Sequence, residues 1–150
     1  MKIKKILVAT DGSQTAKKAG RFAVDLAKSL HASVIIVSIV DERALISQAV
    51  PTEIIDMNIM QRVEAYMKVT AKRYTGQVQK LCEKNQVKSQ SIVIVGHPTE
   101  DIVQTAHKTK ADLIVLGSHG RSAIAAAVLG SVSYGIIHKD TSIPVLVVRR

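Results

Sequence analysis

Three glycines and two serines toward the carboxyl end of the chain, Gly117, Gly120, Gly130, Ser131 and Ser133, have the types and spacing to hold a phosphate. Glycine lets a ligand approach the main chain where a side chain would obstruct it. Amides at a helix start lack partners and carry the positive end of the helix dipole, and both features favour an anion. Gly117 ends the run Leu113-Ile114-Val115-Leu116, whose lack of polar alternation fits a strand buried on both faces. Gly130 comes just before Ser131 and Ser133, where a helix is expected to begin with serine as its cap. Asp11 lies in Thr10-Asp11-Gly12-Ser13, directly after a second apolar run. An acid there either contacts a ligand or closes the turn before a helix capped by Ser13. Arg121 could pair with a phosphate oxygen or stand as a solvated loop charge.

Other chemistries fit less well. Gly117-Ser118-His119-Gly120 is not the nucleophile elbow Gly-x-Ser-x-Gly, and neighbouring side chains in a strand-to-loop turn are expected to point apart. Gly130 and Gly135 have the glycine spacing of a P-loop, but Ile136-Ile137 stand where its lysine and hydroxyl residue belong. A dinucleotide fingerprint would place several glycines after the first strand, where only Gly12 occurs. Asp11 has no second acid two residues on, which weakens metal-assisted phosphotransfer. His31, His97, His107 and His138 show no ligand spacing, and a lone Cys82 makes neither a disulfide framework nor a thiolate metal site. No catalytic residue and no metal ligand are assigned.

The elements that must position these residues alternate regularly. A strand over about Ile3 to Ala9 precedes a helix with Ala16, Ala19, Phe22, Ala23, Leu26, Ala27 and Leu30 on one face. A second buried strand runs from Val34 to Val40. The poorly patterned stretch from Asp41 to about Thr52 reads as a loop punctuated by Pro51, near the carboxyl end of that strand. A long helix is expected from roughly Ile54 to Lys84, with Ile59, Met60, Val63, Tyr66, Met67, Ala71, Tyr74, Val78 and Leu81 on one stripe. The third strand, Ser91 to Val95, leads to a helix opened by Pro98, with Glu100 and Asp101 in its first turn. The strand ending at Gly117 follows, then a helix over about Ser131 to Lys139, and a fifth strand through Pro144 to Arg149. Strand, helix, strand units with short connections give parallel pairing and a doubly wound α/β sheet.

Residues 1–150 read as one domain, long enough to bury a sizeable core. No stretch reaches transmembrane length, Ile6 to Ala9 is too short for the core of an export signal, and cysteine usage points to the cytosol. The formal net charge of +9 raises the question of an acidic partner. The lysines and arginines spread along helical faces, however, and 3% aromatic residues leave little for bases to stack on. Neither a specific nucleic acid nor a membrane is expected as partner.

Gly117-x2-Gly120-x9-Gly130-Ser131 between the strand ending at Leu116 and Ile143-Pro144-Val145-Leu146-Val147-Val148, together with Ile6-Leu7-Val8-Ala9-Thr10-Asp11-Gly12-Ser13, resembles the universal stress protein family. The likeness spans essentially the whole chain. It implies a five-stranded parallel sheet of order 3-2-1-4-5 with helices on both faces, of the Rossmann-like, adenine nucleotide alpha hydrolase-like kind. Strands 1 and 4 are then neighbours whose helices leave in opposite directions, opening the switch-point crevice at their carboxyl ends. The resemblance further implies ATP, or AMP or ADP, as ligand. Adenine would lie near Ile39 and the backbone at Leu116 and Gly117, with Ala9 in the wall behind the base, the ribose near Thr10 and Asp11, and the phosphates against Gly120, Gly130, Ser131, Val132 and Ser133, with Arg121 a further candidate for a phosphate oxygen. Mg²⁺ would arrive with the nucleotide, since the chain offers no carboxylate cage. The family usually has proline where this chain has Ala9. Its members serve as stress-response or regulatory modules, and the alternatives are slow ATP hydrolysis at the same pocket or a dimeric interaction module that binds no nucleotide. A homodimer is implied through the final strand, 143–149, an apolar sheet edge blunted by Pro144, Arg149 and Arg150.

Overall fold

A computed structural model describes residues 1–49, 57–121, 129–139 and 142–149. Its strands are β1 (Lys5–Ala9), β2 (Ser33–Asp41), β3 (Ser89–Gly96), β4 (Leu113–Gly117) and β5 (Val145–Val148). Helices α1 (Gln14–Leu30), α2 (Glu42–Ala49), α3 (Met57–Lys84), α4 (Pro98–Thr109) and α5 (Ser131–His138) connect them. All pairings are parallel and the strand order is 3-2-1-4-5, as the alternation and the resemblance required.

Period-two alternation divides the core between the two faces of the sheet. Ile6 and Val8 of β1, Val34 and Ile36 of β2, and Leu113 and Val115 of β4 pack with Ala19, Ala23, Val24 and Ala27 of α1 and Val78 and Cys82 of α3. Leu7, Ile35, Val37, Ile114 and Leu116 point the other way, onto Ile102 and Ala106 of α4 and Ile136 of α5. α1 packs on one face of the sheet and α5 on the other, so the helices that follow the neighbouring strands β1 and β4 diverge from adjacent strand ends, the arrangement of a topological switch point. At the opposite end of the sheet, Asp112 Oδ2 accepts the amides of Lys4 at 2.8 Å and Lys5 at 2.9 Å, tying β1 to the start of β4.

Three expectations need correction. The stretch after β2 is a helix, α2, rather than a loop from residue 41 to 49; residues 50–56, including Pro51 and the expected start of α3, lie outside the described residues. Its cause is local. Asp41 Oδ1 accepts the Arg43 amide at 3.0 Å, satisfying a donor at the helix start, while Leu45 is buried against Val40 and Ala71. Partial burial alone would raise the Asp41 pKa, but hydrogen bonds from the Arg43 side chain and backbone outweigh it and hold the carboxyl below its usual value. On α1, Val24 rather than Phe22 faces the core; Phe22 and Leu30 flank the buried stripe and are exposed. On α3 the buried residues are Ala71, Thr75, Val78 and Cys82, whereas Ile59 and Tyr66 face outward.

Candidate functional site

The turn after β1 is built around one carboxylate. Asp11 Oδ1 accepts the Ser13 amide at 3.0 Å, the turn-closing contact that the sequence allows. Its other oxygen, Oδ2, accepts the Arg121 amide at 3.0 Å and so joins this turn to the one after β4. Ser13 caps α1 as expected, accepting the Ala16 amide at 3.2 Å. Thr10 is buried, with its amide donating to the Val37 carbonyl at 2.9 Å. Between them Gly12 has φ of +78°, and a methyl group on it would lie 2.3 Å from Cε1 of Tyr74. Glycine is required there twice over, by the backbone conformation and by the aromatic ring that α3 presses onto it.

Beyond β4 the chain is fastened to the start of α1. Thr15 Oγ1 donates to the His119 carbonyl and accepts the His119 amide at 3.3 Å, and Ser13 Oγ donates to the same carbonyl at 3.3 Å. Gly117 makes this approach possible. A methyl there would sit 2.7 Å from the Thr15 carbonyl carbon and 2.8 Å from the Ala16 amide nitrogen. Ser118 and His119 do not point apart as expected: Ser118 Oγ and His119 Nδ1 are 2.8 Å from one another, and both residues are buried. The pair follows from the turn's compactness, which leaves each polar side chain the other as a close partner. Ser118 is only 1% exposed.

The start of α5 closes on the same turn. Gly130, not Ser131, is its N-cap, in extended conformation, and the Gly130 amide donates to the Ser118 carbonyl at 2.6 Å. Ser131 is therefore the first helical residue and stands exposed. Ser133 Oγ donates to the Gly117 carbonyl at 2.7 Å, so its only hydroxyl proton is used to hold α5 to β4. The first intrahelical bond runs from the Tyr134 amide to the Gly130 carbonyl, so the amides of Ser131, Val132 and Ser133 lie before the start of the ladder. Gly120 and Gly130 face each other closely: a methyl on Gly130 would lie 3.2 Å from the Gly120 amide nitrogen. Bare main chain and a helix start thus meet just beyond the carboxyl end of β4.

An apolar wall lies on the α4 and α5 side. Ala9, Ile39 and Val132 are partly buried and pack against the cluster that contains Leu116. Leu116 itself is 3% exposed. The structure thus brings together Asp11, Gly117, Gly120, Arg121, Gly130 and Ser133 through close contacts, with Thr10 next to Asp11 in the chain and Ala9, Ile39, Leu116 and Val132 in the adjoining apolar cluster. Thr15 and Tyr74 escape sequence reasoning. Thr15 carries a faint signal, a second hydroxyl two residues after a cap, whereas Tyr74 carries none because α3 brings it from a distance. Among the described residues no group of three or more His, Cys, Asp or Glu could hold a metal ion, and no helix is long and apolar enough to cross a membrane.

A model of the universal stress protein family matches residues 2–149. Universal stress protein MJ0531 of Methanocaldococcus jannaschii is 33% identical over 147 residues, covering 98% of this chain and 82% of its own length. Universal stress protein MJ0577 of the same organism is 35% identical over 156 residues, covering 98% of this chain and 95% of the relative. A solved structure of MJ0577 superposes with a TM-score of 0.82 over 100% of this chain and 98% of that one, at 31% identity. A universal stress protein of Archaeoglobus fulgidus, solved in complex with dAMP, shares the fold at a TM-score of 0.65 and 24% identity, over 99% of both chains.

Proposed function

Because the chain belongs to the universal stress protein family, we propose that it binds ATP, or the related AMP or ADP, and acts as a stress-response or regulatory module rather than an efficient enzyme. One observation carries this reading: two side-chain-free positions, Gly120 and Gly130, meet where α5 begins with three amides outside its own ladder. Such a corner suits a phosphate chain. The complex of the Archaeoglobus fulgidus protein with dAMP supports an adenine nucleotide as the ligand class.

In this reading adenine lies against Ala9, Ile39 and the main chain at Leu116 and Gly117, and the ribose hydroxyls meet Thr10 and Asp11. Each oxygen of Asp11 accepts one amide and keeps capacity for another donor, so the acid can serve turn and ribose together. The phosphates take Gly120, Arg121, Gly130 and the amides of Ser131, Val132 and Ser133. For Ser133 this is the amide alone, since its hydroxyl serves Gly117. Mg²⁺ accompanies the nucleotide, held by its phosphates and water. Hydrolysis is secondary, because Asp11, the acid of the pocket, is engaged by main-chain amides rather than poised on a water.

Calorimetric titration tests the proposal: ATP gives saturable heat at one site per chain. An absence of heat with ATP, ADP, AMP and adenosine favours an interaction module without nucleotide. The chain also forms a homodimer through residues 143–149 in this reading, since among the described residues β5 pairs only with β4 and ends the sheet. Sedimentation at micromolar concentration is expected to give twice the mass of the chain, and a monomer there contradicts the pairing.

A further inference from the structure

Tyr74 has no part in the binding just described, yet it touches that site from α3. Its ring lies on Gly12, where a methyl group would come within 2.3 to 2.6 Å of three ring carbons. Tyr74 is half-buried, and its neighbours in the turns of α3, Ala71, Thr75 and Val78, are buried, which fixes the helix that carries the ring. Above it stands the Arg121 guanidinium, 5.4 Å from the ring centroid, within range of a cation–π contact. The two parts of Arg121 therefore go to different places: its amide donates to Asp11 while its exposed side chain rests on Tyr74. Arg73 brings a second guanidinium to 5.7 Å from the same centroid. Two like charges on one ring weaken each other's hold, so Arg121 is kept reversibly.

We propose that Tyr74 is a specificity-setting positioning residue: its ring stores Arg121 as an arm that only a ligand bearing phosphate charge draws off. This rests on the nucleotide reading above and deepens it. A nucleoside without phosphate offers the guanidinium nothing stronger than the ring, so the arm stays where it is. A triphosphate offers charge-assisted hydrogen bonds, which outweigh an exposed cation–π contact. The affinity difference between ATP and adenosine then depends on Arg121 and is moderated by Tyr74.

The test is calorimetry with ATP and with adenosine on wild type, Tyr74→Leu, Tyr74→Phe, Arg121→Ala and the Tyr74→Leu/Arg121→Ala pair. Freeing the arm in Tyr74→Leu should tighten ATP by about threefold, the worth of an exposed cation–π contact, and leave adenosine unchanged. Tyr74→Phe keeps the ring face and should match wild type. Arg121→Ala should weaken ATP alone, and in its background Tyr74→Leu should have no effect. Overturning results are a Tyr74→Leu effect that is absent, that persists without Arg121, or that changes adenosine equally. If Tyr74→Leu does not fold, the Tyr74 ring signals of wild type serve instead. They should shift with ATP and not with adenosine; movement with both alike, or with neither, overturns the arm. Wild-type protein that binds neither ligand refutes the nucleotide reading and the arm with it, whereas the other contrary results remove the arm alone.

Discussion

Replacing Gly117 by alanine is expected to lower the thermal unfolding midpoint by about 8 °C, the shift that about 3 kcal/mol of overpacking produces in a chain of this size. The strain is steric. The new methyl would come within 2.8 Å of the Thr15 carbonyl carbon, Thr15 Oγ1 and the Ala16 amide nitrogen. Two of those atoms are main chain at the first turn of α1, which cannot rotate aside as a flexible side chain would. Relief requires β4 and α1 to move apart, and that breaks the paired hydrogen bonds between Thr15 Oγ1 and the His119 peptide. A Gly117→Ala midpoint within about 2 °C of wild type would show that β4 and α1 are not held this closely, since the expected strain corresponds to several times that shift.

Gly130→Val is expected to weaken ATP by at least about 100-fold, the equivalent of about 2.7 kcal/mol. A methyl at this position already lies 3.2 Å from the Gly120 amide nitrogen and the His119 Cα, and 3.4 Å from the Ser118 carbonyl oxygen. Valine adds two more carbons to that contact, and the three nearest atoms are all main chain of the 118–120 turn. The turn must withdraw, losing the 2.6 Å hydrogen bond from the Gly130 amide and carrying Gly120 away from the start of α5. Stability should fall by about 1–3 kcal/mol, as for other overpacked sites, which leaves a folded protein to titrate. Calorimetry of ATP against folded Gly130→Val measures the loss; an unchanged affinity removes the phosphates from this corner.

Much of the architecture is legible in the sequence because parallel strands covered on both faces are written as unbroken apolar runs. Ile6 to Ala9, Val34 to Val40 and Leu113 to Leu116 each fall within or upon a strand. Ser13 and Pro98 mark helix starts through local chemistry, and both lie where α1 and α4 begin. Errors arise where tertiary contacts decide between similar local options. Phe22 and Val24 are both apolar and lie near one helical stripe, and only the position of α1 on the sheet selects Val24. Either Gly130 or Ser131 could cap α5, and the hydrogen bond from the Gly130 amide to Ser118 settles it for Gly130. The α2 helix is not legible because its cap at Asp41 and its anchor at Leu45 act through a side-chain turn and a tertiary contact rather than through a periodic pattern. The place of Tyr74 at the site is not written in the sequence, because its contact with Gly12 joins elements far apart in the chain and depends on the path of α3.

The most direct measurement is an amide-resolved NMR titration of wild-type protein, comparing ATP with adenosine. The account predicts that ATP moves the amide signals of Gly120, Gly130, Ser131, Val132 and Ser133, while both ligands move those of Ala9 and Ile39. Shifts with ATP that leave residues 130–133 unmoved, or that map to another face of the sheet, would contradict it.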